Sequence, residues 1–422
     1  MLLLFKNFRY LLITLVYFIL VFSLLCGANL HVLGPLSLRH ISTVVLLGVA
    51  IFFRKRNRYK IGALPLYIGY LIVAFICGFL NGEYVNQFFW QSMYTYHVPC
   101  IAIALGLPAL IKDNNHIKLF VMSLIGLYVL NSLLTYFQYY NENWAWAMAQ
   151  RISSQAEEGL GKAEMYTASS ENLLGYSIVA GAFGFVVTNG YFLASYLPVI
   201  AYRMNQKGWI NMIIVSAFLI FAGIAIFFTQ QRMAFLSLVL FVGFYVWYGM
   251  KSGWRIPLIL IAVIFFSYYG LSNIEMGRLT TDTNNDTRMM IFDNFFDFLG
   301  RGYWLTGGNE AYMNLYTKSQ HNSLLAAWVG GGIFSFIIFV ILYFRLLRDN
   351  LRIVFKLKRK RFQYPFTICF SVASLIFLLY SLTHSAGVQS GSPMFWIVYT
   401  MMCVSYNIEY KLECQNQKKY IS

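Results

Sequence analysis

Apolar residues along this chain come in unbroken runs, not in alternation with polar ones. The runs lie at 10–29, 40–53, 61–80, 94–111, 119–139, 172–202, 209–228, 233–250, 255–271, 323–344, 365–383 and 393–408. Each predicts a helix, and most approach the ~20 residues needed to cross ~30 Å of hydrocarbon. A transmembrane barrel is excluded, because barrel strands alternate apolar and polar positions. The pattern therefore predicts an all-α polytopic membrane protein with about twelve spans, one integral domain over 1–422. Two polar outer loops interrupt it, 141–171 and the larger 272–322, which joins spans 9 and 10. The run at 10–29 ends in Cys26, Gly27 and Ala28, small residues of the kind that close a signal peptide. The same pattern continues beyond it, so we read it as a first span that stays. The stretch 172–202 is read as one tilted or interrupted crossing, split near Asn189-Gly190.

Charge fixes the orientation. Hydrophobic residues make up 59% of the chain and charged ones 11%, with a formal net charge of +16. So basic a chain invites a nucleic-acid reading, but position argues against it. Lys6, Arg9 and the runs at 54–60, 112–118, 203–207, 251–255, 345–361 and 411–419 hold 24 of the 32 Lys+Arg. All of these fall on one side if 172–202 makes a single crossing, and that side is the cytoplasmic one. Both termini are then cytoplasmic, the stretch 345–361 is a basic cytoplasmic loop, and 12 of the 16 Asp+Glu lie outside. Six cysteines sit in or beside apolar runs without a CxxC pair, so neither a disulfide nor a metal site is inferred.

Against this bias, outward-facing arginines are exceptions that need a reason. Arg232 sits in Thr229-Gln230-Gln231-Arg232-Met233-Ala234, a minimal turn between two spans. An arginine at that depth is costly unless paired or hydrated; the bland alternative is an interfacial snorkelling side chain. Arg288 follows Asp286-Thr287 and precedes apolar positions at +3, +4, +7, +8 and +10. That spacing predicts an amphipathic helix of about three turns along the membrane surface. Asp286 or Thr287 would be its cap, and Arg288 would stand in its first turn. The bland alternative is an Arg288–Asp286 surface pair. His321, in Gln320-His321-Asn322-Ser323, directly precedes a span that carries Gly330-Gly331-Gly332. A histidine there can take a proton or bind phosphate, or merely stand next to a helix cap. The three glycines permit close backbone approach of a neighbour or a ligand. The remaining histidines, His31, His40, His97, His116 and His384, show no comparable setting in the sequence; His384, at the outer end of the run 365–383, is the best alternative among them.

These motifs resemble the O-antigen ligase/polymerase superfamily, membrane glycosyltransferases that use undecaprenyl-diphosphate glycans. The resemblance rests on Thr229-Gln-Gln-Arg232-Met-Ala, Thr287-Arg288, Gly307-Gly308, and Gln320-His321-Asn322 before Gly330 to Gly332, and covers roughly 170–345. It departs from the family where a second histidine stands near the one matching His321; this chain has Ser319 and Gln320. The resemblance implies that Arg232 and Arg288 hold the diphosphate and that His321 serves catalysis. Gln231, Asn322 and Glu310 would be in support, with Glu310, Asp286, Glu164 and Glu171 as alternative bases. It implies no cofactor, and no Asp-x-Asp metal motif is present. Implied partners are the lipid-linked glycan, a lipid-borne glycan acceptor, membrane lipids and a chain-length regulator. The implied location is the inner membrane of a bacterium, with the site on the periplasmic face. A polymerase extends another lipid-linked unit, whereas a ligase transfers the polymer to lipid A-core. A lipid-linked oligosaccharide flippase is a rival of a different class, but it would place charge within spans and repeat its two halves.

Overall fold

A computed structural model describes residues 2–27, 30–33, 36–53, 61–140, 144–145, 147–148, 181, 186–205, 208–229, 232–249, 283–316, 322–357, 360–382 and 387–421. Apart from one two-stranded hairpin, His31–Leu33 with Leu36–Ser37, the regular structure there is helical. The helices are α1 Leu2–Cys26, α2 Leu38–Phe52, α3 Leu64–Leu80, α4 Gln87–Ser92, α5 Val98–Leu110, α6 Asn114–Tyr139 and α7 Val186–Ile200. They continue as α8 Trp209–Phe228, α9 Arg232–Gly249, α10 Thr283–Phe298, α11 Asn309–Leu315, α12 Ser323–Leu357, α13 Pro365–Ser381 and α14 Pro393–Ile421. Among the described residues, five helices are long and apolar enough to cross a membrane, and three shorter ones are apolar. The expected span at 255–271 and the loop at 141–171 lie outside the described residues, except for short pieces of the loop.

Local sequence explains where the helices begin. Ser37 and His40 form a capping box on α2. Asp113 accepts from the Asn115 and His116 amides at 2.9 and 3.0 Å and opens α6. Proline stands in the first turn of α3 and of α13, where no amide hydrogen is required.

Tyrosines staple the bundle together. Tyr128, Tyr136, Tyr191, Tyr196 and Tyr343 each donate a hydroxyl to a main-chain carbonyl of another helix, at 2.8–3.1 Å. A buried tyrosine needs such a partner, and the ring meanwhile fills core volume. Tyr67 packs on Trp396 with ring centres 4.6 Å apart, tying α3 to α14. Much of the aromatic content is thus core material.

Four boundaries differ from the sequence reading. No split occurs at Asn189-Gly190. Asn189 is buried and accepts from Asn131 while donating to Thr135, so α6 satisfies its amide and α7 runs through. The basic stretch from Arg345 is not a loop. It continues α12 to Leu357, stabilised by Arg345–Asp349 at 3.0 Å and by Asn350 donating to Leu346 and Ser374. Helix α10 is already helical at Thr283, so Arg288 stands at least in its second turn rather than beside a cap at Asp286 or Thr287. The run expected from residue 94 begins at Gln87 and includes a π-helical turn, Met93–His97.

Candidate functional site

The segment 283–316 folds onto the first turns of α12. Phe295 and Phe298 of α10 and Tyr312 of α11 are buried with Val329 in a small apolar core of their own. Phe295 meets Trp328 edge-on at 5.7 Å, and Phe298 lies across Tyr312 at 5.1 Å. Inside the loop, Arg301 pairs with Asp297 at 2.9 Å, and the Tyr316 hydroxyl donates to the same carboxylate. These two partners, the tyrosine first, hold the Asp297 carboxyl below its usual range. All three groups face solvent, so the cluster contributes little to stability.

The glycines are where the loop and the bundle meet. Helix α12 breaks at Gly331 and Gly332, the latter at φ 66° and ψ −166°. Segment 304–308 of the loop lies in that break. Ile333 N–H donates to the Trp304 carbonyl at 3.1 Å, Gly308 N–H donates to the Val329 carbonyl at 2.7 Å, and Trp328 Nε1 donates to the Trp304 carbonyl at 2.9 Å. A Cβ at Gly332 would overlap the Leu305 carbonyl, and one at Gly307 the Val329 carbonyl. Gly307-Gly308 and Gly332 are therefore two halves of one contact. Helix α3 closes it from the other side: Asn81 Nδ2 donates to the Thr306 carbonyl at 3.1 Å.

The polar residues proposed from the sequence are placed as follows. Arg232 is the first residue of α9. Arg288 lies in α10, two helical turns before Phe295. His321 and Gln231 lie outside the described residues, as do Glu164 and Glu171. Asn322 is the cap of α12: its Oδ1 accepts from Leu324 and Leu325 at 2.8 and 3.3 Å, and its Nδ2 donates to Leu382 at the end of α13 at 2.8 Å. Glu310 is exposed in the first turn of α11. The loop thus brings the helix that carries Arg288 against the opening turns of α12, which Asn322 starts.

Two polar features were not legible in the sequence. Glu83, in the turn after α3, is buried, and Oε1 accepts the Glu310 amide at 2.9 Å. Burial pushes its carboxyl above the usual range, against the pull of the Glu310 and Asn309 amides and with a smaller push from the Glu310 charge. Its partner lies 227 residues away, so no local pattern announces the pairing. His97, unremarkable by its neighbours in sequence, is buried in the π-helical turn and shares a 2.8 Å hydrogen bond with the Tyr67 hydroxyl. Gly391 approaches it so closely that a Cβ would fall 2.7 Å from His97 Nδ1. Nearby, buried Arg39 donates to the Leu25 carbonyl at 2.9 Å and faces the Tyr96 ring at 5.8 Å, so it caps the C-terminal end of α1.

No protein-family model matches the chain, and no curated protein matches it in sequence.

Proposed function

We propose that this chain is a membrane glycosyltransferase of the O-antigen polymerase type, joining undecaprenyl-diphosphate-linked repeat units at the periplasmic face of a bacterial inner membrane. The observation that carries the reading is the docked loop. Phe295, two turns after Arg288, touches Trp328 in the second turn of α12, and His321 stands two residues before that helix in the sequence. The proposed topology has twelve spans with both termini cytoplasmic, which leaves Arg232, Arg288 and His321 on the outer side.

In this reading Arg232 and Arg288 bind the diphosphate oxygens, Arg288 bidentately, and stabilise the charge that develops on the leaving group. His321 takes the proton from the acceptor hydroxyl as the new glycosidic bond forms. The lipid diphosphate departs with the electron pair of the broken bond, and the anomeric carbon inverts. Glu310 is the weaker candidate for the base, being exposed at the start of α11.

The test is a glycan profile of a deletion strain complemented with wild type or with Arg232→Ala, Arg288→Ala or His321→Ala. Core capped by a single repeat unit in the deletion, and in each variant at normal membrane abundance, is the expected result. Long polymer left on the carrier lipid instead would make the chain a ligase. Units trapped on the cytoplasmic side would make it a flippase. Wild-type chain length in all three variants would remove the site.

A further inference from the structure

We infer that Glu83 is a positioning residue that holds the outer loop, and with it the helix of Arg288, against the membrane bundle. This rests on the reading of Arg288 as a diphosphate ligand, but the structural part stands without it. Glu83 comes from a different loop, and it is buried although it is an acidic residue. Its Oε1 accepts the amide of Glu310, and the Asn309 amide lies against it as well, so it closes the open N-terminal end of α11 from outside. Helix α11 has no side-chain cap of its own, because Gly308 stands at the capping position. The short helix therefore takes its cap from across the fold.

The chain of contact to Arg288 is continuous. Tyr312, one turn along α11 and fully buried, packs on Phe298, and Phe298 and Phe295 lie in the same helix as Arg288. Asn81, two residues before Glu83, grips the Thr306 carbonyl, so one turn after α3 holds the loop at two points. Gly82, at φ 77°, lets the backbone turn between those two residues. The turn is anchored in its own right by Trp90 Nε1 donating to the Tyr84 carbonyl at 2.8 Å.

The test uses the full chain, purified in nanodiscs, with Glu83→Ala, Glu83→Gln and wild type compared by amide hydrogen exchange. Leaving the first amides of α11 without this buried acceptor corresponds to roughly tenfold faster local opening or more. Glu83→Ala is expected to speed exchange by about that factor in 304–316 and in α10, and to leave α6 and α13 unchanged. Glu83→Gln, which keeps an acceptor oxygen, is expected to stay near wild type. Unchanged loop exchange in Glu83→Ala overturns the inference, and so does an equal rise throughout the bundle, which marks a general folding role. In cells, Glu83→Ala should shorten the glycan while Glu83→Gln restores it. An opened loop with wild-type glycan would refute positioning. If Arg288→Ala also leaves the glycan intact, the substrate reading fails while the exchange result still decides the role of Glu83.

Discussion

Replacing Gly332 by alanine should unseat the docked segment 304–308, whereas the same change at Gly330 should not. The three glycines look equivalent in sequence, but their surroundings differ. Gly332 has φ 66° and ψ −166°, a region open almost only to glycine. Forcing a side chain there costs about 1–3 kcal/mol. The new Cβ would also overlap the Leu305 carbonyl, so segment 304–308 must move. That removes the Ile333–Trp304 and Gly308–Val329 hydrogen bonds, each worth about 1 kcal/mol net. Together the effect is about 3–5 kcal/mol of local opening. At ~1.4 kcal/mol per factor of ten, exchange of the Gly308 and Ile333 amides should accelerate between a hundredfold and a few thousandfold. Gly330 is helical with nothing within 4 Å of an added methyl, so alanine there should be neutral or gain up to about 1 kcal/mol of helix propensity. Gly331 should be intermediate, since a Cβ would press on the Ser335 side chain and lie 2.9 Å from the Ala74 Cα. Equal protection at Gly308 and Ile333 in all three variants would refute the account of the wedge.

Other expectations follow from single contacts. Asn189→Ala should destabilise the α6–α7 pair by about 1–3 kcal/mol, because the Asn131 amide and Thr135 hydroxyl lose buried partners, read as a lower melting midpoint in detergent. Asn322→Ala removes both the cap of α12 and its tie to Leu382, and should cost about 1–2 kcal/mol; Asn322→Asp should recover the cap but not the tie, measured the same way. Because the Glu83 carboxyl is raised on folding, the folded loop binds its proton more tightly than the open one. The docked loop should therefore be most stable at and below the ordinary carboxylate range and weaken as pH rises through the raised value. Glu83→Gln should flatten that profile in exchange measurements. Asp297→Ala should change loop protection little, since its partners Arg301 and Tyr316 are solvent-facing.

What the sequence reveals here is what local chemistry dictates. Trp209–Phe228 is bounded as its apolar run predicts, and Pro365 and Pro393 mark helix starts because proline suits a first turn. The capping role of Asn322 could be read from its place before an apolar run. Hidden were the features made by distant pairing. The Asn189-Gly190 pair reads as a helix breaker until Asn131 and Thr135 face it. The basic residues after Phe344 read as a loop, because charge marks where a helix leaves the membrane, not where it stops being helical. Glu83 and His97 each gain their setting from partners far along the chain, Glu310 and Tyr67. The glycine triplet announced a close approach but not its occupant, which is the loop that the same sequence supplies.

That occupant bears on the choice between enzyme and transporter. Transporters use broken helices because the freed backbone groups bind substrate or ions near the membrane centre. Helix α12 is broken, but the break falls in its third turn, against the loop segment 304–308. Two of the freed groups are taken by the loop: Ile333 N–H by Trp304 and the Val329 carbonyl by Gly308. A Cβ-free path at Gly332 is filled by the Leu305 carbonyl. A break filled by its own loop seats an ordered cover over this end of the bundle. An enzyme that must shield a reactive diphosphate from water has use for such a cover, whereas a carrier that alternates its access would have to pull it out in every cycle. Opening the wedge by Gly332→Ala should therefore depress a glycosyl transfer and, were the chain a carrier gated by this loop, would instead ease release to the outer side.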